Sequence, residues 1–192
     1  MISLIILAAG ESSRLGQPKQ NLLFQGKTLL WRAIEAGQKS ACNNIIVVLG
    51  ANSNQIALPP GITTLYNQNW KDGMASSITR GMLEIINDPS IDKVIITLCD
   101  QPFVSANLLD ALIVKHSKTA KPIVACAYDN ITGVPALFDR QLFTELLQLQ
   151  GDEGAKQILK NHTNDIAAIP FEQGSIDIDT PTDYAQLLGL SN

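Results

Sequence analysis

The chain has 192 residues, ordinary apolar and charged fractions, and a formal net charge of −4. That length suits one domain over 1–192 with a real core, and the composition excludes disorder. No basic block occurs, which argues against a nucleic-acid or membrane-surface binder and leaves a specific small-molecule site open.

The opening run "MISLIILAAG" has no positively charged leader and is too short to span a bilayer. It reads as a buried first strand, Ile2–Leu7. The three cysteines, Cys42, Cys99 and Cys126, are far apart and form no C-x-x-C pair, as expected of a reduced, cytoplasmic protein. With only His116 and His162 besides, a structural zinc site is not expected.

The first strand runs into "AAGESSRLGQPK". Small residues at a strand end let the following backbone approach a ligand. Gly10 is free to take φ > 0, so that successive N–H groups face one concavity. Ser12 and Ser13 add hydroxyls, Arg14 a planar fork for phosphate oxygens, and Lys19 a mobile point charge behind Pro18. Gly16 is followed by Gln17, so this is not a Walker loop. Gly10 and Gly16 do not supply G-x-G-x-x-G, which also disfavours a nicotinamide oxidoreductase. The alternative is a solvated surface loop.

Further apolar runs follow at Ile45–Leu49, Val94–Leu98 and Pro122–Ala127. Strands apolar on both faces belong to a mostly parallel sheet covered by helices. Between them, Met74, Ile78, Met82 and Ile85 recur at helical spacing, as do Leu108, Leu109, Leu112 and Ile113. The expected fold is therefore three-layer α/β, with right-handed crossovers and ligands at the carboxyl ends of the strands. In "DGMASSITRGM", Met74, Ile78 and Met82 read as core. Ser76 and Ser77 lie off that stripe in the first turn, where they either cap the helix or meet a nucleotide. "CDQP" leaves the strand at Val94–Leu98, with Cys99 read as a small core residue. After Ala127 the chain looks less regular, which suggests an inserted lobe receiving a second substrate. In "DIDTPTDY", Asp177 and Asp179 share one face of an extended segment. Thr180, Pro181 and Asp183 resemble an N-cap, a first helical proline and a capping box.

Leu7, Ala8, Ala9, Gly10, Arg14, Leu15, Gly16 and Lys19 fit the opening signature of the molybdenum-cofactor nucleotidyltransferases. "DGMASSI", "CDQP", "GVPALF", "GDEGAK" and "DIDTPTDY" follow in the order of the cytidylyltransferase branch, so the resemblance covers almost the whole chain. It implies the nucleotide-diphospho-sugar transferase fold and transfer of CMP from CTP to a phosphorylated acceptor, molybdopterin, with release of pyrophosphate. A molybdoenzyme or its chaperone is the implied partner. Ala9 tilts the implied nucleotide toward CTP rather than GTP. Leu7 to Gly10, Ser12, Ser13, Arg14, Lys19, Gly73, Ser76 and Ser77 become nucleotide-binding candidates, with Arg14, Lys19 and Asp100 catalytic.

Asp100, just past a strand, is the implied Mg²⁺ ligand, completed by Asp177 or Asp179; Asp183 is structural. "GVPALF" and "GDEGAK" resemble segments near the acceptor pocket, though the family often has His where Val134 stands, and Asp152, Glu153 and Lys156 also fit a solvated helix start. The competing readings are guanylyl transfer, transfer to a sugar phosphate, and a nucleotide-binding regulator without catalysis.

Overall fold

A computed structural model describes residues 1–152 and 154–190. In chain order the elements are β1 (Ile2–Ala8), β2 (Leu23–Phe24), β3 (Lys27–Thr28), α1 (Leu29–Gln38), β4 (Asn44–Leu49), β5 (Thr63–Tyr66), α2 (Met74–Ile85), β6 (Lys93–Leu98), α3 (Ala106–Thr119), β7 (Ile123–Tyr128), β8 (Ile131–Asp139), α4 (Phe143–Leu147), α5 (Ala155–Asn161), β9 (Ile166–Pro170) and α6 (Pro181–Gly189). The starts of α1, α3 and α6 coincide with capping side chains. Thr28 accepts from the Trp31 N–H ahead of α1, and Ser105 from the Leu108 N–H ahead of α3.

A seven-stranded sheet in the order β5-β4-β1-β6-β8-β7-β9 forms the middle layer. Every pairing is parallel except those of β8, which is antiparallel to β6 and β7. Strands without a polar face need cover on both sides, and alternate residues feed opposite layers. Leu4 and Ile6 of β1 pack with Leu30 and Ile34 of α1 and Leu109 and Leu112 of α3. Ile5 and Leu7 pack with Ile78 and Met82 of α2, Phe143 of α4 and Ile158 of α5. A third, smaller cluster joins Leu15, Leu22, Phe24 and Leu29 to Ile178 and Leu187 of the C-terminal segment.

The stretch after Ala127 is not an inserted lobe. Residues Ile131–Asp139, which include "GVPALF", form β8 inside the main sheet. Its buried Ala136, Leu137 and Phe138 are claimed by both helix layers, and a neighbouring hairpin partner satisfies its backbone. Among the described residues no helix is long and apolar enough to cross a membrane.

From β1 the sheet grows through β4 to β5, then returns to the other side of β1 to lay down β6. That reversal opens a crevice beyond the carboxyl ends of β1 and β6, where ligands bind in open α/β sheets. The loop carrying Gly10 and the turn carrying Asp100 both end there.

Candidate active site

The loop after β1 is held by its own residues. Its left-handed positions are Ser12 (φ 58°) and Gly16 (φ 69°), not Gly10, which corrects the sequence expectation. The Ser12 carbonyl accepts from the Leu15 N–H (3.0 Å) and its Oγ from the Lys19 N–H (3.0 Å). Thus Ser12 shapes the turn. Leu15 drops into the third cluster, while Ser13 and Arg14 stay on the exposed rim. Gln20, buried beneath the loop, donates from Nε2 to the carbonyls of Ala8 (2.7 Å) and Gly10 (3.3 Å).

This bracing places Lys19 at the centre of the site. Its Nζ donates to Asp100 Oδ2 and to Asp179 Oδ1, both at 2.6 Å. Burial works against the ammonium charge, but Asp100 and then Asp179 outweigh it and hold the Lys19 pKa above its ordinary value. Asp100 Oδ1 is buried without a hydrogen-bond partner. Asp179 is positioned by the turn behind it, where Asp183 Oδ2 accepts from the N–H groups of Thr180 (2.7 Å) and Asp179 (3.2 Å). The capping box of Thr180 and Asp183, with Pro181 opening α6, is therefore structural, as its sequence pattern indicated. Asp177 lies on the neighbouring wall. Burial, then the charges of Asp100 and Asp179, raise its pKa.

Asp100 and Asp179 are oxygen donors of the kind a divalent cation takes. Mg²⁺ takes one or two carboxylates and fills its remaining positions with substrate phosphates and water. Asp100 Oδ1 is buried and unpartnered, and Asp100 and Asp179 share the Lys19 cation. Among the described residues, no three His, Cys, Asp or Glu side chains form a closed metal cage.

A cavity of about 420 Å³ opens over this centre. It brings together Leu7, Ala8, Ala9, Gly10, Lys19, Gly73, Ser77 and Asp100, but its lining does not include Ser12, Ser13, Arg14 or Ser76. Gly73 is required at its wall. Its φ is +95°, and a Cβ there would lie 2.5 Å from the Gly151 carbonyl oxygen.

The two serines have different surroundings. The Ser76 hydroxyl donates to the carbonyls of Gly73 and Asn69, both at 2.8 Å, and does not cap α2, while Ser77 is buried on the cavity wall. Both accept from Asn67 Nδ2, at 2.8 and 3.0 Å. Met74, read from its spacing as core, is exposed at the start of α2; the buried stripe begins at Ala75 and Ile78. Trp70, Lys71 and Gln20 also line the cavity and were not singled out in the sequence. Trp70 and Lys71 precede α2 with no periodic pattern to mark them.

A second cavity, of about 640 Å³, adjoins the first and shares Leu7, Met74, Leu98 and Asp152 with it. Its wall includes Gln101, Tyr128, Val134, Lys156 and Asp177. "GVPALF" contributes Val134, and "GDEGAK" contributes Asp152 and Lys156; Glu153 lies outside the described residues. Cys99 is buried at the end of β6, where burial raises its thiol pKa, consistent with a small core residue.

Residues 4–166 match the family model described as the MobA-like NTP transferase domain. The chain belongs to this family. MobA-like relatives include the nicotine blue oxidoreductase of Paenarthrobacter nicotinovorans, 28% identical over 96% of this chain and 95% of its own. The molybdenum cofactor cytidylyltransferase of Escherichia coli is 24% identical over 95% of this chain and 93% of its own. The crystal structure of Rv0371c from Mycobacterium tuberculosis superposes with a TM-score of 0.84 at 28% identity, covering 98% of this chain and 97% of that one. A manganese complex of the same mycobacterial protein superposes with a TM-score of 0.81 at 26% identity, covering 98% of each chain. The MobA-like match makes the chain a nucleotidyltransferase by family and agrees with the mostly parallel sheet expected from its sequence.

Proposed function

We propose that this nucleotidyltransferase moves CMP from CTP to a phosphorylated acceptor, molybdopterin, and releases pyrophosphate. The observation that carries the proposal is the Lys19 ammonium held between Asp100 and Asp179, with Lys19 and Asp100 lining a cavity that adjoins a second one. The first cavity, over Lys19 and Asp100, is assigned to the nucleotide and the second to its acceptor. The cytidylyltransferase name of one relative and the Ala8–Ala9 strand end favour cytidine. A molybdoenzyme or its chaperone would receive the product.

In the proposed reaction, an acceptor phosphate oxygen attacks the α-phosphorus of CTP. The bond from that phosphorus to the bridging oxygen breaks, and the electron pair leaves with pyrophosphate. Such chemistry depends on positioning and charge stabilisation. Lys19 holds the triphosphate oxygens and stabilises the charge growing on the leaving group, joined from the rim by Arg14. The loop amides after Ala9, with the Ser13 hydroxyl, cradle the phosphates. Asp100 and Asp179 would hold Mg²⁺, with Asp177 as the alternative second carboxylate. When bound, that ion neutralises negative charge on the α-phosphate. Ser77, Gly73 and the Ala8–Ala9 backbone shape the slot for base and ribose, with Ser76 fixing the adjacent helix start. An ionised acceptor phosphate needs no general base, in keeping with the absence of histidine from these motifs.

The relative named as an oxidoreductase raises a hydride-transfer alternative. The loop after β1 lacks the G-x-G-x-x-G spacing of a dinucleotide site, which favours phosphoryl chemistry instead. The test is pyrophosphate release from CTP, GTP, ATP and UTP, each with molybdopterin or a sugar phosphate. CTP with molybdopterin should give the fastest release. Turnover with sugar phosphates alone, or release with no pair, overturns the proposal.

A further inference from the structure

Asp100 and Asp179 hold the Lys19 ammonium at 2.6 Å, and Asp177, on the neighbouring wall, feels the charges of both. The two carboxylates are fixed in place. The Cys99 N–H donates to the Leu7 carbonyl (3.1 Å), which carries the β1–β6 pairing up to the residue before Asp100. The Asp179 N–H is held by the Asp183 side chain. The backbone of Lys19 is fixed as well. Its N–H donates to Ser12 Oγ, and Gln20 anchors the next position beneath the loop. What is left free to move is the lysine side chain, a point charge on a flexible stem.

The ammonium therefore stands where a divalent cation on Asp100 and Asp179 has to go. Such an ion must replace two charge-assisted hydrogen bonds and drive a like charge away. Lys19 also lines the first cavity, together with Asp100 and Gly10. Lys71 is a further cation on that cavity, but its ammonium lies over the Trp70 ring, 5.4 Å from the centroid. The carboxylates are thus closed by the one side chain that can also swing toward ligand phosphates with the loop unmoved.

We infer that Lys19 is an internal stand-in for the divalent cation: its ammonium closes Asp100 and Asp179 in the free protein, and a bound triphosphate draws it off and opens the carboxylates to the metal. This role rests on the metal and phosphate placement proposed above, and adds to it an order of events. Metal alone binds poorly, because it meets carboxylates that are already neutralised. With triphosphate present the ammonium has new oxygen partners, and the two ligands favour each other. Removing the lysine leaves a buried carboxylate uncompensated, which a divalent ion relieves. The substitution that harms turnover should therefore improve metal binding, a split not expected of a lysine that serves the phosphates alone.

The probe is Mn²⁺ without nucleotide, with the free ion read by electron paramagnetic resonance. At about 0.15 M salt a cation that does not touch the carboxylates is largely screened. Lys19→Met should bind Mn²⁺ at least about tenfold more tightly than the wild type. Lys71→Met should change the affinity by less than about twofold. Unchanged or weaker binding in Lys19→Met overturns the inference. So does equal tightening in Lys71→Met, which marks a general charge effect. If Lys19→Met does not fold, the wild type decides, through reductive methylation of its lysines read by mass spectrometry. Lys19, held as an ammonium in the free protein, should be methylated several-fold faster at saturating Mn²⁺, and an unchanged rate contradicts the inference. Asp100→Asn should weaken Mn²⁺ binding with or without Lys19→Met; if it does not, the metal placement itself fails. If it does, while Lys19→Met binds no more tightly, only the stand-in role of Lys19 is lost. Pyrophosphate release is measured separately and bears only on the transfer reading.

Discussion

Asp100→Asn removes one charge from the centre of the site and keeps the shape of the side chain. Asp100 is the more buried partner of Lys19, with its side chain 12% exposed against 44% for Asp179. A hydrogen bond to a charged group contributes about 1.5–3 kcal/mol. Asparagine still accepts from Lys19, and Asp179 remains, so the stability loss should fall at or below the lower end of that range. At about 2–4 °C per kcal/mol for a chain of this size, Tm should drop by only a few degrees. Catalysis should suffer more. Loss of one preorganised charge-stabilising group costs about 10²–10³ in turnover, or about 2.7–4 kcal/mol. The assay is pyrophosphate release at saturating CTP and acceptor across a Mg²⁺ titration, with Tm measured on the same samples. The expected result is a folded variant at least about a hundredfold slower, with a weakened Mg²⁺ requirement curve. A near-wild-type rate at saturating Mg²⁺ would refute the placement of Asp100 in the metal and phosphate machinery.

Lys19→Met should lower turnover by at least about a hundredfold, checked by steady-state kinetics. Gly73→Ala places a side chain at φ +95° against the Gly151 carbonyl, so it should cost more than about 1 kcal/mol and raise the KM for CTP, seen in Tm and initial rates. His162 Nε2 donates to Glu145 Oε2 at 2.7 Å, and that hydrogen bond raises the His162 pKa above its ordinary value despite partial burial. The pair therefore stabilises the fold below pH 6.5, and the contribution is lost as pH rises through the raised value. Glu145→Gln should lower Tm at pH 5.5 by no more than about 4 °C and change it less at pH 9, since both partners are partly exposed.

The sheet was legible because its strands are apolar on both faces, and only a covered parallel sheet accommodates runs such as "SLIIL" and "VIIT". The Thr180–Asp183 box was legible because capping is local in sequence. What remained hidden depends on distant partners. Gly10 has the flexible residue type, yet the left-handed turn falls on Ser12, whose Oγ is held by the Lys19 N–H. Ser76 and Ser77 are adjacent and share the Asn67 amide, and only the fold shows that Ser77 lines the cavity while Ser76 bonds to the backbone of the preceding turn. Met74 fits the helical stripe but sits one turn too early to reach the core. The antiparallel β8 was unreadable because Gly133 and Pro135 break its apolar pattern, while Gln101 and Gln20 show their unpartnered oxygens only after folding.

The transfer claim is tested most directly by the stoichiometry of the product. CTP labelled on its α-phosphate, incubated with the protein, Mg²⁺ and molybdopterin, should yield a covalent CMP–acceptor product and pyrophosphate in equal amounts, resolved by mass spectrometry and phosphate-coupled detection. Label recovered only as free CTP or CMP, with no acceptor-linked species, would contradict it.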